Sequence, residues 1–90
     1  MAVFETTPVA GKYSNITATG TVKSTPGVLL GFYVNSTTGG TLVLRDGGAS
    51  GTAITGTITP AIGWHALPVG FETDLHATIA NTLNVTFSYR

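Results

Sequence analysis

Residues 27–47 read GVLLGFYVNSTTGGTLVLRDG, and how this stretch divides decides the fold. Val28, Leu30, Phe32 and Val34 alternate with Leu29, Gly31, Tyr33 and Asn35, so the first half is a strand with one apolar face. Residues 41–46 resume the apolar content with Leu42, Val43 and Leu44. Between the halves, STTGG is polar and ends in glycine, which predicts a turn and makes the whole a β-hairpin. No side chain in the hairpin carries chemistry by itself.

The flanks repeat the pattern. Residues 15–24 (NITATGTVKS) set Ile16, Ala18, Gly20 and Val22 against Thr17, Thr19, Thr21 and Lys23, a half-buried strand with a threonine-coated outer face. Thr25-Pro26-Gly27 then turns the chain. Beyond the hairpin, DGGASG predicts a flexible loop of small residues, and 52–59 (TAITGTIT) a strand that Pro60 stops. Residues 62–69 are apolar but broken by Gly63 and Pro68, a short edge strand or irregular crossover carrying Trp64. Residues 71–79 place Phe71, Thr73, Leu75, Ala77 and Ile79 inward and Glu72, Asp74, His76 and Thr78 outward. Asn81-Thr82 predicts a turn, and the last strand directs Leu83, Val85, Phe87 and Tyr89 inward.

Residues 1–14 read as an extended N-terminal arm or an edge strand, with Pro8 barring this segment from the middle of a sheet. Val3, Phe4 and Val9 give the arm apolar surface, either to fold along its own domain or to tether a neighbour. Residues 15–90 then form one all-β domain. About seven short strands at this turn spacing predict a small antiparallel β-sandwich, jelly-roll or Greek-key-like in its connections. No helical period of useful length interrupts it.

Charge is the compositional anomaly. Charged residues make up 9% of the chain, four basic and four acidic, against about 25% in ordinary domains. Threonine, glycine and serine fill the outward positions instead. Such a surface suits a protein that buries much of its exterior in an assembly, the plainer alternative being a threonine-covered monomer. Balanced charge argues against nucleic-acid binding, which needs a basic face. With no cysteine there is neither a disulfide framework nor a thiolate metal site. The first residues lack the basic start and apolar run of a secretory signal, and no stretch is long and apolar enough to span a membrane.

Candidate sites are few. His65 and His76 are the only histidines and have no third or fourth ligand at suitable spacing for zinc, so both are expected at the surface. Glu72 and Asp74 share a strand face, but two solvated carboxylates on a strand make no glycosidase cleft. Asp46 offers one carboxylate where calcium takes 6–8 oxygens. No nucleophile elbow, P-loop or zinc-protease motif occurs. The expectation is a protein without catalytic residues, metal or cofactor. Tyr13, Tyr33 and Trp64 are the aromatics that could stack on a sugar or a protein partner, although a lone tryptophan in a small β domain is most often core. Three N-x-[ST] patterns, at Asn15, Asn35 and Asn84, are expected by chance in a threonine-rich chain.

Taken together, TGTVKSTPGVLLGFYVN (19–35), TLVLRDGGASGT (41–52), LPVGF (67–71) with the T-x-L that follows, and the closing VTFSYR (85–90) resemble the small virion proteins of tailed bacteriophages that decorate the capsid. The resemblance covers roughly residues 18–90 and leaves the arm unmatched; glycine would be expected at Asp74, and Trp64-His65 is peculiar to this chain. It implies a β-sandwich on the capsid exterior, made in the host cytoplasm and often trimeric. Its partner would be major capsid protein, bound across subunit boundaries so as to clamp the shell. Val3, Phe4 and Val9 would then anchor the arm, with Tyr33 and Trp64 as interface aromatics. The alternative is a glycan-binding module of a tail fibre or spike, using Trp64, Tyr33 and the DGGASG loop. An exposed Trp64 beside polar residues favours recognition; a buried Trp64 with an ordered arm on another chain favours decoration.

Overall fold

The computed structural model describes residues 11–90. Val3, Phe4 and Val9, and most of the expected arm, lie outside them. The described chain is all-β: β1 (Lys12–Ile16), β2 (Gly20–Lys23), β3 (Gly27–Asp46), β4 (Thr52–Ala53), β5 (Gly63–Phe71) and β6 (Leu75–Tyr89). Every pairing is antiparallel. The strands join in one sheet of order β1-β6-β3-β4, with β2 also on β6 and β5 also on β3. Where the sequence expectation divides about seven strands between two sheets, the structure joins six in one.

The hairpin expectation is corrected. STTGG does not turn the chain; it runs inside β3, a single strand of 20 residues. Asn81-Thr82 likewise falls inside β6 rather than between two strands. The two segments meet each other: Thr38 and Gly39 both lie opposite Thr82. Two residues facing one is a β-bulge, with a glycine in the left-handed region as such bulges favour. Gly39 has φ 61° and Asn81 φ 62°, and Asn81 Nδ2 donates to the Gly39 carbonyl at 2.9 Å. The polar residues that signal a turn in isolation therefore build a bend in a paired ribbon. A straight strand of this length would span about 60 Å, yet the longest dimension of the molecule is 49 Å.

Curvature is how the sheet covers its own core. No helix is present among the described residues, yet Leu29, Val34, Leu42, Leu44, Leu75, Val85 and Phe87 are fully buried in one apolar cluster. Ile54 and Ile58, from the segment after β4, pack on it together with Leu67, Val69, Ile16 and Tyr89. In that segment the expected strand over 52–59 shrinks to Thr52–Ala53 plus one bridge, Leu42 to Ile58.

Two further bulges in β3 explain which side chains face inward. Leu29 pairs with Tyr89 and Gly31 with Ser88, so Leu30 is an extra residue. Alternation alone puts Val28 and Leu30 inward; the bulge reverses the phase, burying Leu29 and leaving Val28 exposed. The next bulge, between Val34 and Ser36, leaves both Asn35 and Ser36 outside.

The strand expected over 15–24 is also broken, into β1 and β2, at residues 17–19. Thr19 Oγ1 fills the gap in the ladder, accepting from Ile79 N at 2.9 Å and donating to Ile79 O at 3.1 Å.

Candidate functional site

The expected strand over 71–79 breaks at Glu72–Asp74, and the acidic residues serve as clasps there. Asp46, at the end of β3, accepts from the backbone N–H of Glu72 (2.7 Å), Thr73 (2.9 Å) and Asp74 (3.3 Å). Asp74 Oδ1 returns the arrangement, accepting from Gly47 N at 2.9 Å and Gly48 N at 2.8 Å. Gly47 and Gly48 have φ of 109° and 84°, which presents successive N–H groups to one anion. The loop expected to be flexible is therefore pinned, and Glu72 and Asp74 are not a pair on a strand face. The Glu72 and Thr73 N–H bonds hold the Asp46 carboxyl below its ordinary value of 3.8, partial burial opposing them and the Asp74 bond adding to them. A depressed carboxylate contributes stability that is present above its unfolded pKa and lost as pH falls through the folded one. Urea midpoints should hold steady down to about pH 4 and drop below it, and Asp46→Ala should remove part of that acid-side slope.

Of the two histidines expected at the surface, His65 is half-buried and His76 is corrected. His65 falls on the inward phase of β5 and stacks on Phe32, ring centroids 5.1 Å apart, with its Nε2 at 2.7 Å from the Ala61 carbonyl. His76 is buried, 7% exposed, because β6 is covered on both faces here: Leu75, His76 and Ala77 are all buried.

The opposite end of the sheet carries the candidate site. Register places Asn15 (β1), Thr86 (β6), Tyr33 (β3) and Trp64 (β5) in one row across four strands. The next row holds Tyr13, Ser88, Gly31 and Ala66. Tyr13 is 78% exposed, Tyr33 46% and Trp64 53%. The expectation that a lone tryptophan plugs the core fails, because Trp64 takes the outward phase of β5, whose inward positions are His65, Leu67 and Val69. Gly31 makes room for its ring. A Cβ at position 31 would lie 2.6 Å from Trp64 Cζ2 and Cη2 and 2.5 Å from the His65 carbonyl. Gly31→Ala should therefore lift the indole off the sheet, read as a red shift of tryptophan emission.

Beside the aromatics lies a network that sequence reasoning missed. Asn15 Nδ2 donates to Asn84 Oδ1 (2.7 Å), Thr86 Oγ1 (3.0 Å) and the Val85 carbonyl (3.2 Å). From the other side, Asn35 Nδ2 donates to Asn84 Oδ1 (3.2 Å) and Thr86 Oγ1 (3.0 Å). These are the three asparagines of the N-x-[ST] patterns, which composition alone assigns to chance; their convergence depends on pairing between residues 49–71 positions apart. The amides bond one another along the sheet, making a fixed polar plate next to Tyr33 and Trp64. No cavity opens among the described residues. Apart from the tyrosine hydroxyls the two rows hold no ionisable side chain, and Arg90, paired with Val28, stands at the rim. Comparison with protein families, with curated proteins and with solved structures finds no match.

Proposed function

We propose that this chain is a non-enzymatic structural protein of a tailed-phage virion, borne on the capsid exterior, where it binds major capsid protein across subunit boundaries as a homotrimer and stabilises the shell. The observation that carries this reading is not the exposure of Trp64, which taken alone favours recognition, but the lack, among the described residues, of charge and of any cavity on the four-stranded face that bears Tyr13, Tyr33 and Trp64. Small-molecule sites are concave; a face without a cavity, with aromatic anchors and few charges, has the composition of a protein interface core. Low overall charge fits a domain flanked by other subunits, and many identical weak contacts per particle add through effective concentration. In this reading the curled sheet takes the place of the jelly-roll sandwich expected of such proteins, and Val3, Phe4 and Val9 add an arm anchor.

The exposure of Trp64 beside the Asn15, Asn35 and Asn84 amides favours a second reading, a glycan-binding module of a tail fibre or spike. One experiment separates them. Purified protein is mixed with capsids lacking it, pelleted, and the particles are challenged by heat. Saturable binding in many copies with tougher shells supports decoration, and Trp64→Ala should then weaken it about tenfold or more, as for an interface anchor. Deleting residues 1–10, which removes Val3, Phe4 and Val9 but leaves β1 and Tyr13 in place, should weaken it too. Retention on host glycans without capsid binding supports recognition and sinks decoration.

A further inference from the structure

Resting on the decoration reading, we propose that the capsid surface received by the Tyr13–Tyr33–Trp64 face is itself uncharged, lined by amide, hydroxyl and apolar groups, so that assembly is driven by apolar burial and barely responds to salt. Among the charged side chains of the described residues, Asp46 and Asp74 are engaged in the clasp at the other end of the sheet, next to Glu72. Lys23 Nζ is bonded to the Pro26 carbonyl at 3.0 Å, and Arg45 Nη1 to the Gly51 carbonyl at 3.3 Å. Lys12 pairs with Tyr89, on the opposite phase to Tyr13 and Asn15. What the face offers is aromatic area, Ala66, and an amide plate whose N–H groups from Asn15 and Asn35 are already committed. A partner charge brought against it would lose water and gain no counter-charge, which is strongly unfavourable. Charge complementarity thus selects a neutral surface.

Arg90 is the exception, and its place at the rim limits it to a modest effect on association rate. The test is a binding titration of the full chain on capsids lacking it, between about 50 and 500 mM NaCl, a range over which the screening length falls several-fold. A Kd that moves by less than about threefold is expected, since no ion pair is made at the centre. Ala66→Glu, which puts a carboxylate in the row of Tyr13 and Ser88, should weaken binding at least about tenfold, whereas Thr57→Glu, at an exposed position outside the strands, should not. Binding that weakens tenfold or more with salt overturns the neutral partner while leaving decoration standing. Absence of any capsid binding overturns both, as does salt-independent capture by a neutral polysaccharide alone. The salt titration uses the unmodified chain, so its outcome counts even where a variant fails to fold.

Discussion

Phe87→Ala will destabilise this domain by about 3–5 kcal/mol, the cost of emptying a well-packed aromatic site. Phe87 is the largest of the fully buried side chains. It lies directly across from Phe32 in the β3–β6 pairing, with ring centroids 5.8 Å apart, and Phe32 in turn stacks on His65. The ring therefore ties β6 to β3 and, through His65, to β5. A chain of 90 residues holds roughly 5–13 kcal/mol in total, so this one change removes a large share of it. Urea denaturation measures it, and Phe87→Leu, which keeps more apolar volume, should lose less. A loss below about 1 kcal/mol for the alanine variant would mean that the cluster is not the single core described above.

Gly40→Val should cost roughly 3 kcal/mol or more, the upper end of what overpacking imposes, and for a different reason. Gly40 is buried beside the paired bulge, and a Cβ there would lie 2.5 Å from the Thr82 carbonyl oxygen, 2.7 Å from Leu83 Cβ and 2.9 Å from Thr37 Oγ1. Two of those neighbours are backbone or backbone-attached, so they cannot swing aside. The ribbon would have to part where it bends. The adjacent glycine is the control: at Gly39 a Cβ meets nothing within 4 Å, but φ is 61°. Gly39→Asn should therefore be mild, asparagine tolerating that region, while Gly39→Val should cost about 1–2 kcal/mol in strain. Thermal unfolding checks the order, with Gly40→Val the worst of the three, Gly39→Val intermediate and Gly39→Asn the least affected.

Strand phase was legible wherever the ladder is regular. Leu83, Val85 and Phe87 are inward as alternation requires. Phase failed at Leu29 and Val28, because a bulge is set by how β3 meets β6 rather than by either segment alone. STTGG and Asn81-Thr82 have turn chemistry, and locally they do adopt left-handed residues; that these residues bend a pair of strands becomes visible only when the two are placed side by side. For the site, Tyr33 and Trp64 stood out by residue type. Their shared row, and the Asn15, Asn35, Asn84 and Thr86 network beside them, needed the register. The Asp46–Asp74 clasp was hidden for the same reason, its partners being 26–28 residues apart.

The last strand in chain order is also one of the two central ones. Residues 83–89 pair with 29–37, and residues 85–89 also with 12–16. During synthesis β1, which pairs with β6 alone, and the first half of β3, which has β5 on its other side, must therefore wait until nearly all of the described chain has emerged. Contacts this distant in sequence make for slow folding, on the scale of milliseconds to seconds. In that interval β3 presents an open apolar edge, the kind of surface on which nascent chains pair with one another. Charges that would keep such chains apart are scarce here, so yield should fall as expression rate rises, and the sheet can close only once β6 has emerged.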